Sequence, residues 1–307
     1  MNIVTEINDF DRTPCVATIG SFDGVHLGHK AMLAELRKAA DAKGLPLMVV
    51  TFARHPRLLF DGECEPFLLT SSREKLALLE SMGVDYAVLL DFDTCMAAMC
   101  AERFMNEVLA GALGIKVLGV GYDHHFGKPC EGEGVEQYAI YGKNAGIEVL
   151  PLSPFVIDGA KVSSTVVRRA LSAGDVCTAE RLLGRGYSLC GTVVRGAGIG
   201  RGIGFPTANI MLEDEFKMLP LDGVYEVDAS IGGECYKGVM NIGVKPTVSR
   251  EMLRTIEVHL IDYSGDAYGK DINVALVRRL RGELAFDNVQ ALKLQIGVDV
   301  ARVKRGI

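Results

Sequence analysis

The stretch that decides the fold of this chain is GSFDGVHLGH, residues 20–29. It follows an apolar run at 16–19 and precedes a helical pattern that begins near Lys30. A strand therefore leads into a tight glycine turn that opens a helix. Such a turn places free backbone N–H groups and the positive end of a helix dipole together, which suits a phosphate group. The stretch predicts a strand–turn–helix unit with a phosphate site at the turn.

Two histidines lie within this stretch. His26 and His29 are three residues apart, so they share a face of the first helical turn. Two imidazoles beside a phosphate site can hydrogen-bond a triphosphate and the charge that grows when it is cleaved. The extended pattern G-x-F-D-G-x-H-x-G-H after a strand is specific, whereas H-x-G-H alone is not. The pattern predicts a site for nucleotidyl transfer, and the alternative is a glycine turn with two solvated histidines.

The bulk composition favours small-molecule partners. The chain has 307 residues, which indicates two domains, and 49% of them are hydrophobic, which suffices for packed cores. The formal net charge is -6, whereas a nucleic-acid binder normally carries a basic patch. Most side chains of the short basic groups at 278–281 and 302–305 are interpreted as solvated. We therefore expect no nucleic-acid partner.

The cysteines and the N-terminus indicate the compartment. None of the eight cysteines forms a C-x-x-C pair or stands at zinc-site spacing from a histidine, so free thiols in a reducing cytosol explain them. The first residues show no basic and then apolar leader, and no run reaches the roughly 18 apolar residues of a membrane span. We expect a cytoplasmic protein with no membrane partner.

Short apolar runs alternate with helical patterns in the first half of the chain. Strands are predicted at 16–19, 47–51, 86–90, 117–120 and 147–150. Helices are predicted at 30–42, 72–82, 97–110 and 135–144. Continuous apolar strands separated by helices indicate a parallel sheet covered on both faces. Ligands of such sheets bind at the carboxyl ends of the strands, where Gly20 lies.

The pattern changes near residue 184, where a helix ends at a glycine. Short β-rich runs follow at 187–194, 223–231, 235–242, 255–261 and 272–280. With a tight hairpin turn at 231–234, they predict a small antiparallel barrel. The predicted domains are therefore 1–184 and 185–307.

A last helix is predicted to pack on this barrel. It runs from about Asp287 to Arg302, and Asp287 or Asn288 can cap it. Its apolar positions follow the helical period and are Val289, Leu292, Ile296, Val300 and Val303.

Three further segments of the first domain carry candidate site residues. TFARHP at 51–56 and GYDHHFG at 121–127 each follow a predicted strand. His55 fits a loop histidine as well as a ligand, and Asp123 can hydrogen-bond a nucleotide or lie near a metal ion. SSTVVRR at 163–169 offers hydroxyls at a helix start with Arg168 one turn further in. That segment can hold phosphate, or it can be an ordinary N-cap with surface arginines.

The second domain carries the motif GIGRGIGFPTAN at 198–209. Its glycines let the backbone approach a ligand closely and present N–H groups to phosphates. Thr207 and Asn209 face the same way on an extended segment, and their neutral oxygens suit Mg²⁺ that arrives with ATP. Glu257 lies on an alternating strand, opposite the face of its apolar neighbours. It is a candidate general base beside such a loop, and otherwise a solvent-facing carboxylate.

Together these segments resemble a known family. Residues 20–29, 51–56, 121–127 and 163–168 are similar to the flavin-adenylylating domain of the bacterial bifunctional riboflavin kinase/FAD synthetase family, and 185–304 are similar to its riboflavin kinase module. The resemblance implies an α/β Rossmann-like nucleotidyltransferase domain with a parallel sheet. It implies, after that domain, a six-stranded Greek-key β-barrel with a terminal helix. One departure is His124, where the family usually has an aromatic residue.

The resemblance also implies roles for single residues of the first domain. It makes His26 and His29 catalytic. The residues that would bind ATP are Gly20, Phe22, Asp23, Gly24, Gly28, Asp123, Ser163, Ser164, Thr165 and Arg168. The residues on the flavin side would be His55, Pro56 and Phe126.

In the second domain the resemblance makes Glu257 the catalytic base and places Arg281 near the flavin. It assigns Mg²⁺ to Thr207 and Asn209. The residues that would bind ATP are Gly198, Gly200, Arg201, Gly204, Phe205, Pro206, Thr207 and Asn209.

The implied function is flavin cofactor synthesis in two ATP-dependent steps. Riboflavin is phosphorylated to FMN, and FMN is then adenylylated to FAD with release of pyrophosphate. The expected partners are ATP, riboflavin, FMN and FAD, with Mg²⁺ as cofactor, and a weak homo-oligomer is left open. One alternative is another H-x-G-H nucleotidyltransferase, against which the GFPTAN motif argues. The other is a flavin-binding regulator with reduced catalysis, against which the intact Glu257, His26 and His29 argue.

Overall fold

The structure is a computed structural model, and it describes residues 1–60, 67–121, 126–127, 134–196, 198–246 and 252–306. The described residues of Met1–Glu65 and Thr70–Ser163 form one compact unit, and those of Pro66–Leu69 and Ser164–Ile307 form a second. The functional boundary between 184 and 185 stays a prediction. No helix in the described part is long and apolar enough to cross a membrane.

The first unit is built on a parallel sheet. Its strands are β1 (Asn2–Val4), β2 (Cys15–Ile19), β3 (Leu47–Phe52), β4 (Tyr86–Leu90), β5 (Ile115–Gly121) and β6 (Glu148–Leu152), and a separate short hairpin is formed by β7 (Val156–Ile157) and β8 (Ala160–Lys161). The six strands are all parallel, in the order β1-β4-β3-β2-β5-β6. Ala17 and Met48 pack into one core and Val16 and Val49 into another, so both faces are covered. The predicted sheet is confirmed, with β1 added at its edge.

The strand order also shows where a ligand should bind. The chain builds the sheet outward on one side of β2 and then crosses to place β5 on the other side. The order therefore reverses between β2 and β5. A crevice opens at the carboxyl ends of strands at such a point, and it is where ligands of open α/β sheets bind. The motif at 20–29 begins at this end of β2.

Helices cover the sheet. They are α1 (Leu27–Lys43), α2 (Arg57–Phe60), α3 (Ser72–Ser81), α4 (Thr94–Ala97), α5 (Ala101–Phe104), a π-helix (Met105–Ala112) and α6 (Val135–Ala145), with a short 3-10 turn at Ile7–Asp9. α1 begins three residues before the predicted start because His26 caps it. The single helix predicted at 97–110 is wrong, because the backbone is extended at Cys100, a new helix begins at Ala101 and the following turns bond in the π pattern.

The second unit is a closed antiparallel barrel with helices. Its elements are α7 (Ser164–Ser172), α8 (Val176–Leu183), β9 (Tyr187–Val194), α9 (Ile199–Gly202), β10 (Ala208–Leu212), β11 (Gly223–Ile231), β12 (Glu234–Pro246), β13 (Met252–Leu260), β14 (Asp271–Arg281) and α10 (Val289–Arg305). The barrel order is β10-β13-β12-β11-β14-β9. Since β11, β12 and β13 are neighbours and β14 returns beside β11, the barrel is a Greek key. The predicted antiparallel barrel is confirmed.

One hairpin of the barrel is as predicted, and one strand is not among the predicted ones. The hairpin between β11 and β12 turns on Gly232 and Gly233, whose φ values are 61° and 84°, as the two-glycine turn predicts. β10 is absent from the predicted strands because Ile210 is its only β-branched side chain.

The terminal helix α10 is capped by Asn288, whose side chain accepts a hydrogen bond from the Ala291 N–H at 2.9 Å. Val303 is buried and Val300 packs beside it, as predicted. The prediction for Val289 is wrong. It is the first residue of the helix and is 58% exposed.

Candidate active sites

Buried polar contacts hold the turn after β2 in one shape. Phe22, Gly24 and Val25 have φ values of 51°, 83° and 36°, a costly conformation for the β-branched valine. Asp23 is buried, and its Oδ1 accepts the Thr70 N–H at 3.1 Å. The Thr70 hydroxyl in turn accepts the Gly24 N–H at 3.1 Å. Asp23 therefore shapes the turn, and its predicted contact with ATP stays a prediction.

These bonds correct one expectation from the sequence. The N–H of Gly20 donates to the Val50 carbonyl oxygen at 3.0 Å, and that of Val25 donates to the Phe22 carbonyl oxygen at 3.2 Å. With the N–H of Gly24, three N–H groups of the turn thus have acceptors inside the protein. These three N–H groups are therefore not free, because the turn uses them to keep its own shape.

The two histidines meet at the start of α1. His26 is the N-cap, and its Nδ1 accepts the His29 N–H at 3.3 Å. The two rings stack with centroids 3.7 Å apart, so the predicted shared face is confirmed. Because Nδ1 accepts a bond, the proton of a neutral His26 lies on Nε2, which makes that atom a donor. At Gly28, an added Cβ would come within 3.1 Å of the His26 ring.

An apolar cavity of about 330 Å³ opens in the first unit. The predicted flavin-side residues His55, Pro56 and Phe126 all line it, together with Gly20. Its wall also contains three aromatic residues that the sequence analysis does not name as site residues, which are Phe52, Phe92 and Phe104. Phe52 and Phe92 meet edge-on with ring centroids 5.4 Å apart. A cavity walled by aromatic rings suits a flat apolar ring system.

The other predicted residues of the first site stand as follows. Asp123 and His124 lie outside the described residues. Ser163 belongs to the first unit, whereas Ser164, Thr165 and Arg168 begin α7 of the second. The Arg168 Nε donates to the Phe67 carbonyl oxygen at 2.9 Å, and its guanidinium lies 5.6 Å from the Phe67 ring centroid. The binding of ATP by these residues stays a prediction.

A second cavity, of about 310 Å³, opens in the barrel unit. Gly200, Thr207, Glu257 and Arg281 line it, so it gathers predicted residues from three separate segments. The Thr207 hydroxyl lies 3.5 Å from Oε2 of Glu257. Asn209 pairs with Glu257 in the register of β10 and β13. A candidate base and a candidate metal ligand therefore face one space.

The glycine loop before β10 is shaped by its close contacts. Gly198 and Gly204 have φ values of 73° and 90°, which favour glycine. The Phe205 N–H donates to the Gly200 carbonyl oxygen at 2.9 Å, and a Cβ on Gly200 would collide with the carbonyl of Phe205. Arg201, also predicted to bind ATP, is exposed on this loop. Only glycine therefore permits the fold of the loop at these positions.

His259 is a cavity residue that the sequence analysis does not identify. Its Nδ1 lies 2.8 Å from the Pro206 carbonyl oxygen, and its ring meets that of Phe205 edge-on, with centroids 5.4 Å apart. It also lines the cavity beside Glu257. The signal that could have found it is its position two residues after Glu257 on an alternating strand.

Arg281 is held in the cavity wall by α10. Its Nε and Nη2 donate to Oδ2 of Asp299 at 3.0 and 2.8 Å, and Gln295 donates to Oδ1 at 3.0 Å. The side chain of Asp299 is 1% exposed. The sequence does carry a signal for Asp299. Its carboxylate falls between Ile296 and Val303, on the apolar face of the predicted helix. Asp299 therefore compensates the charge of Arg281 and fixes its direction.

Replacing Asp299 by alanine should destabilise the protein strongly. Asp299→Ala leaves Arg281, whose side chain is 16% exposed, without its anion, which should lower the free energy of unfolding by about 3 kcal/mol. The matched control is Asp228→Ala, because Asp228 pairs with Lys237 at 2.7 Å but is 53% exposed. That loss should be at most about 1 kcal/mol. Urea unfolding followed by circular dichroism measures both, and equal midpoints for the two variants would contradict the role of Asp299.

Comparisons with known proteins agree with this geometry. The family model for FAD synthetase matches residues 9–166, and that for riboflavin kinase matches residues 183–307. The chain belongs to the bifunctional riboflavin kinase/FMN adenylyltransferase family. A relative of this name from Pseudomonas fluorescens is 42% identical over 291 residues, covering 94% of this chain and 92% of the relative. One from Escherichia coli strain K12 is 39% identical over 303 residues, covering 97% and 96%.

The riboflavin kinase/FMN adenylyltransferase assignment, and with it the predicted pair of activities, is confirmed. The aromatic cavity is lined from the segment that matches FAD synthetase, and the barrel cavity from the segment that matches riboflavin kinase. A crystal structure described as a macrolide-efflux protein from Streptococcus pneumoniae has a TM-score of 0.88 at 30% identity, covering 98% of both chains. The same fold therefore occurs in that protein.

Proposed function

We propose that the barrel unit phosphorylates riboflavin to FMN and that the first unit transfers AMP from a second ATP to FMN, forming FAD. The observation that carries the proposal is the chemistry of two separate cavities. One is aromatic and lies in the unit that stacks His26 on His29, and the other faces Glu257 beside Thr207. The steps cleave different bonds of ATP, so each needs its own arrangement of groups.

Glu257 serves as the base in the kinase step. Its carboxylate takes the proton of the terminal ribityl hydroxyl, and that oxygen attacks the γ-phosphorus of ATP. The bond from the γ-phosphorus to its bridging oxygen breaks, and ADP leaves. The contact with the Thr207 hydroxyl supports this role, because it places Oε2 within reach of a hydroxyl that faces the cavity.

The residues beside Glu257 fit a magnesium ion. Thr207 contributes a hydroxyl and Asn209 an amide on the strand that pairs with Glu257, and such hard oxygen donors are the ligands that Mg²⁺ prefers. Being neutral, they would hold the ion only together with the phosphates of ATP. Thr207 and Asn209 would be its protein ligands. When bound, the ion neutralises charge on the β- and γ-phosphates.

Thr207→Ala and Asn209→Ala should each raise the Mg²⁺ concentration that FMN formation requires. We expect a rise of about tenfold in the half-saturating concentration, as for the loss of a group that supports a metal site. Thr207→Ser keeps the hydroxyl and is the matched control. FMN formation is measured at fixed ATP over a series of Mg²⁺ concentrations. An unchanged dependence in both alanine variants would refute the assignment of these ligands.

In the second step a phosphate oxygen of FMN attacks the α-phosphorus of ATP in line. The bond from the α-phosphorus to its bridging oxygen breaks and pyrophosphate leaves, so no covalent enzyme intermediate is needed. The Nε2–H of His26 and the N-terminus of α1 stabilise the charge on the phosphates. The aromatic cavity with His55 and Phe126 holds the flavin ring.

Labelled ATP tests the two steps separately. With riboflavin and ATP labelled at the γ-phosphorus, FMN should carry the label. With FMN and ATP labelled at the α-phosphorus, FAD should carry the label and pyrophosphate should not. Transfer of γ-label to FAD when the reaction starts from unlabelled FMN would overturn the proposed chemistry.

A further inference from the structure

A buried lysine amine lies behind the turn of the first site. Lys75 belongs to α3 and is 8% exposed. Its Nζ donates to Oγ1 of Thr51 at 3.1 Å, to the carbonyl oxygen of Phe52 at 3.1 Å and to that of Ser21 at 3.4 Å. An ammonium group has three donors, so these contacts satisfy all of them. One amine thus joins the residue after Gly20 to the end of β3.

The contacts form a network that faces the aromatic cavity. The Thr51 hydroxyl accepts from Lys75 and donates to the Ser21 carbonyl oxygen at 3.2 Å. Ser21 and Phe52 both line the cavity. The turn is also tied to the start of α3 through Asp23 and Thr70. The glycine turn is therefore held at two points, by Thr70 just before α3 and by Lys75 within it, and Lys75 is the one that reaches the cavity wall.

Packing alone does not explain a lysine at this position. Burial lowers the pKa of Lys75 to about 8, and Asp23 opposes that shift. Of the charged side chains that the structure describes, Asp23 is the one whose field acts on the amine. A methionine would fill similar space without the cost of desolvating a charge. Both substrates of adenylyl transfer are anions, so a positive charge behind the turn favours their binding.

We propose that Lys75 is a positioning residue for adenylyl transfer, which holds the Ser21 and Phe52 carbonyls in one arrangement and supplies a buried positive charge behind the phosphate site. The proposal rests on the proposed function. Lys75 acts on the adenylylation step only, because its hydrogen bonds to described residues lie in the first unit. Riboflavin phosphorylation by the same chain is therefore an internal reference.

The first arm of the test is a pH profile of FAD formation. Lys75 is charged below a pH of about 8 and neutral above it. The ratio kcat/KM for FAD formation from FMN, which reports groups of the free enzyme, should therefore fall as the pH rises through this range. Lys75→Arg keeps the charge at all accessible pH values and should remove the fall. A profile of the unaltered chain that stays flat through this range would overturn the proposal.

The second arm measures the neutral variants at pH 7. Lys75→Met and Lys75→Gln should lower kcat for FAD formation by about tenfold or more, since the turn loses its fixed position. FMN formation should keep its rate. Lys43→Met is the matched control, because Lys43 lies in the same unit with its side chain 42% exposed. If both neutral variants keep the FAD rate, the proposal is wrong. If the unaltered chain makes no FAD, it is the proposed function that fails instead.

Discussion

Glu257→Gln should strongly lower the rate of FMN formation and leave FAD formation from supplied FMN intact. The amide keeps the shape of the side chain and can still accept from the Thr207 hydroxyl, so the cavity should be preserved. It cannot take a proton from the ribityl hydroxyl. The expected loss in the rate of FMN formation is about 10²- to 10⁴-fold, the usual contribution of a positioned base. Both rates are measured on the same preparation by separating the flavins.

The control for this variant is Glu234→Gln. Glu234 begins β12 at the hairpin turn and is exposed, so its loss of charge should change neither rate. FAD formation by the Glu257 variant shows that the first unit is folded, and an unchanged circular dichroism spectrum shows that the barrel unit, which contains Glu257, is folded as well. FMN formation at an unchanged rate in Glu257→Gln would remove Glu257 from the role of base.

His26→Asn should have the opposite effect, with FAD formation lost and FMN formation kept. Asparagine is a good N-cap residue, so α1 should still begin at Leu27 although the imidazole is gone. Removing a donor that stabilises developing charge costs about 10²- to 10³-fold in rate. The measurement is FAD formation from FMN and ATP.

His29→Ala tests the second imidazole. It removes the ring that stacks on His26, whereas the backbone N–H that His26 accepts remains. FAD formation should fall in this variant too. Adenylylation at the rate of the unaltered chain in both variants would refute the role of the motif at 20–29.

The alternation of apolar runs with helical patterns was sufficient to predict the parallel sheet. The closely spaced β-rich runs after residue 184 were sufficient to predict the barrel. These patterns could not predict β10, which is short and contains a single β-branched residue, because its strand pairing with β9 and β13 is non-local. Nor could they predict the π-helix, because helical periodicity does not distinguish hydrogen bonds to the fifth residue from those to the fourth. The start of a helix differs from the predicted one where a cap residue sets it, as His26 does for α1.

The candidate site residues, like the secondary structure, include some that the sequence could predict and some that it could not. Residues such as His26, Thr207 and Glu257 could be named as candidates from the sequence because their types and spacing suit the chemistry, and their roles stay predictions. Lys75 could not, because a single charged residue on a helix is normally a solvated one. Asp299 had only the signal of its place among the apolar positions of α10, which does not reveal its partner. Their importance depends on partners far away in the sequence, which are the Ser21 carbonyl for Lys75 and Arg281 for Asp299.

The most direct test of the account is a time course of the whole chain with riboflavin, excess ATP and Mg²⁺. The flavins are separated at each time and the nucleotide products are counted. FMN should appear first and FAD after it, with one ADP and one pyrophosphate released for each FAD formed. Riboflavin recovered unchanged, or FMN that accumulates without FAD while ATP remains, would contradict the claim that one chain carries both activities.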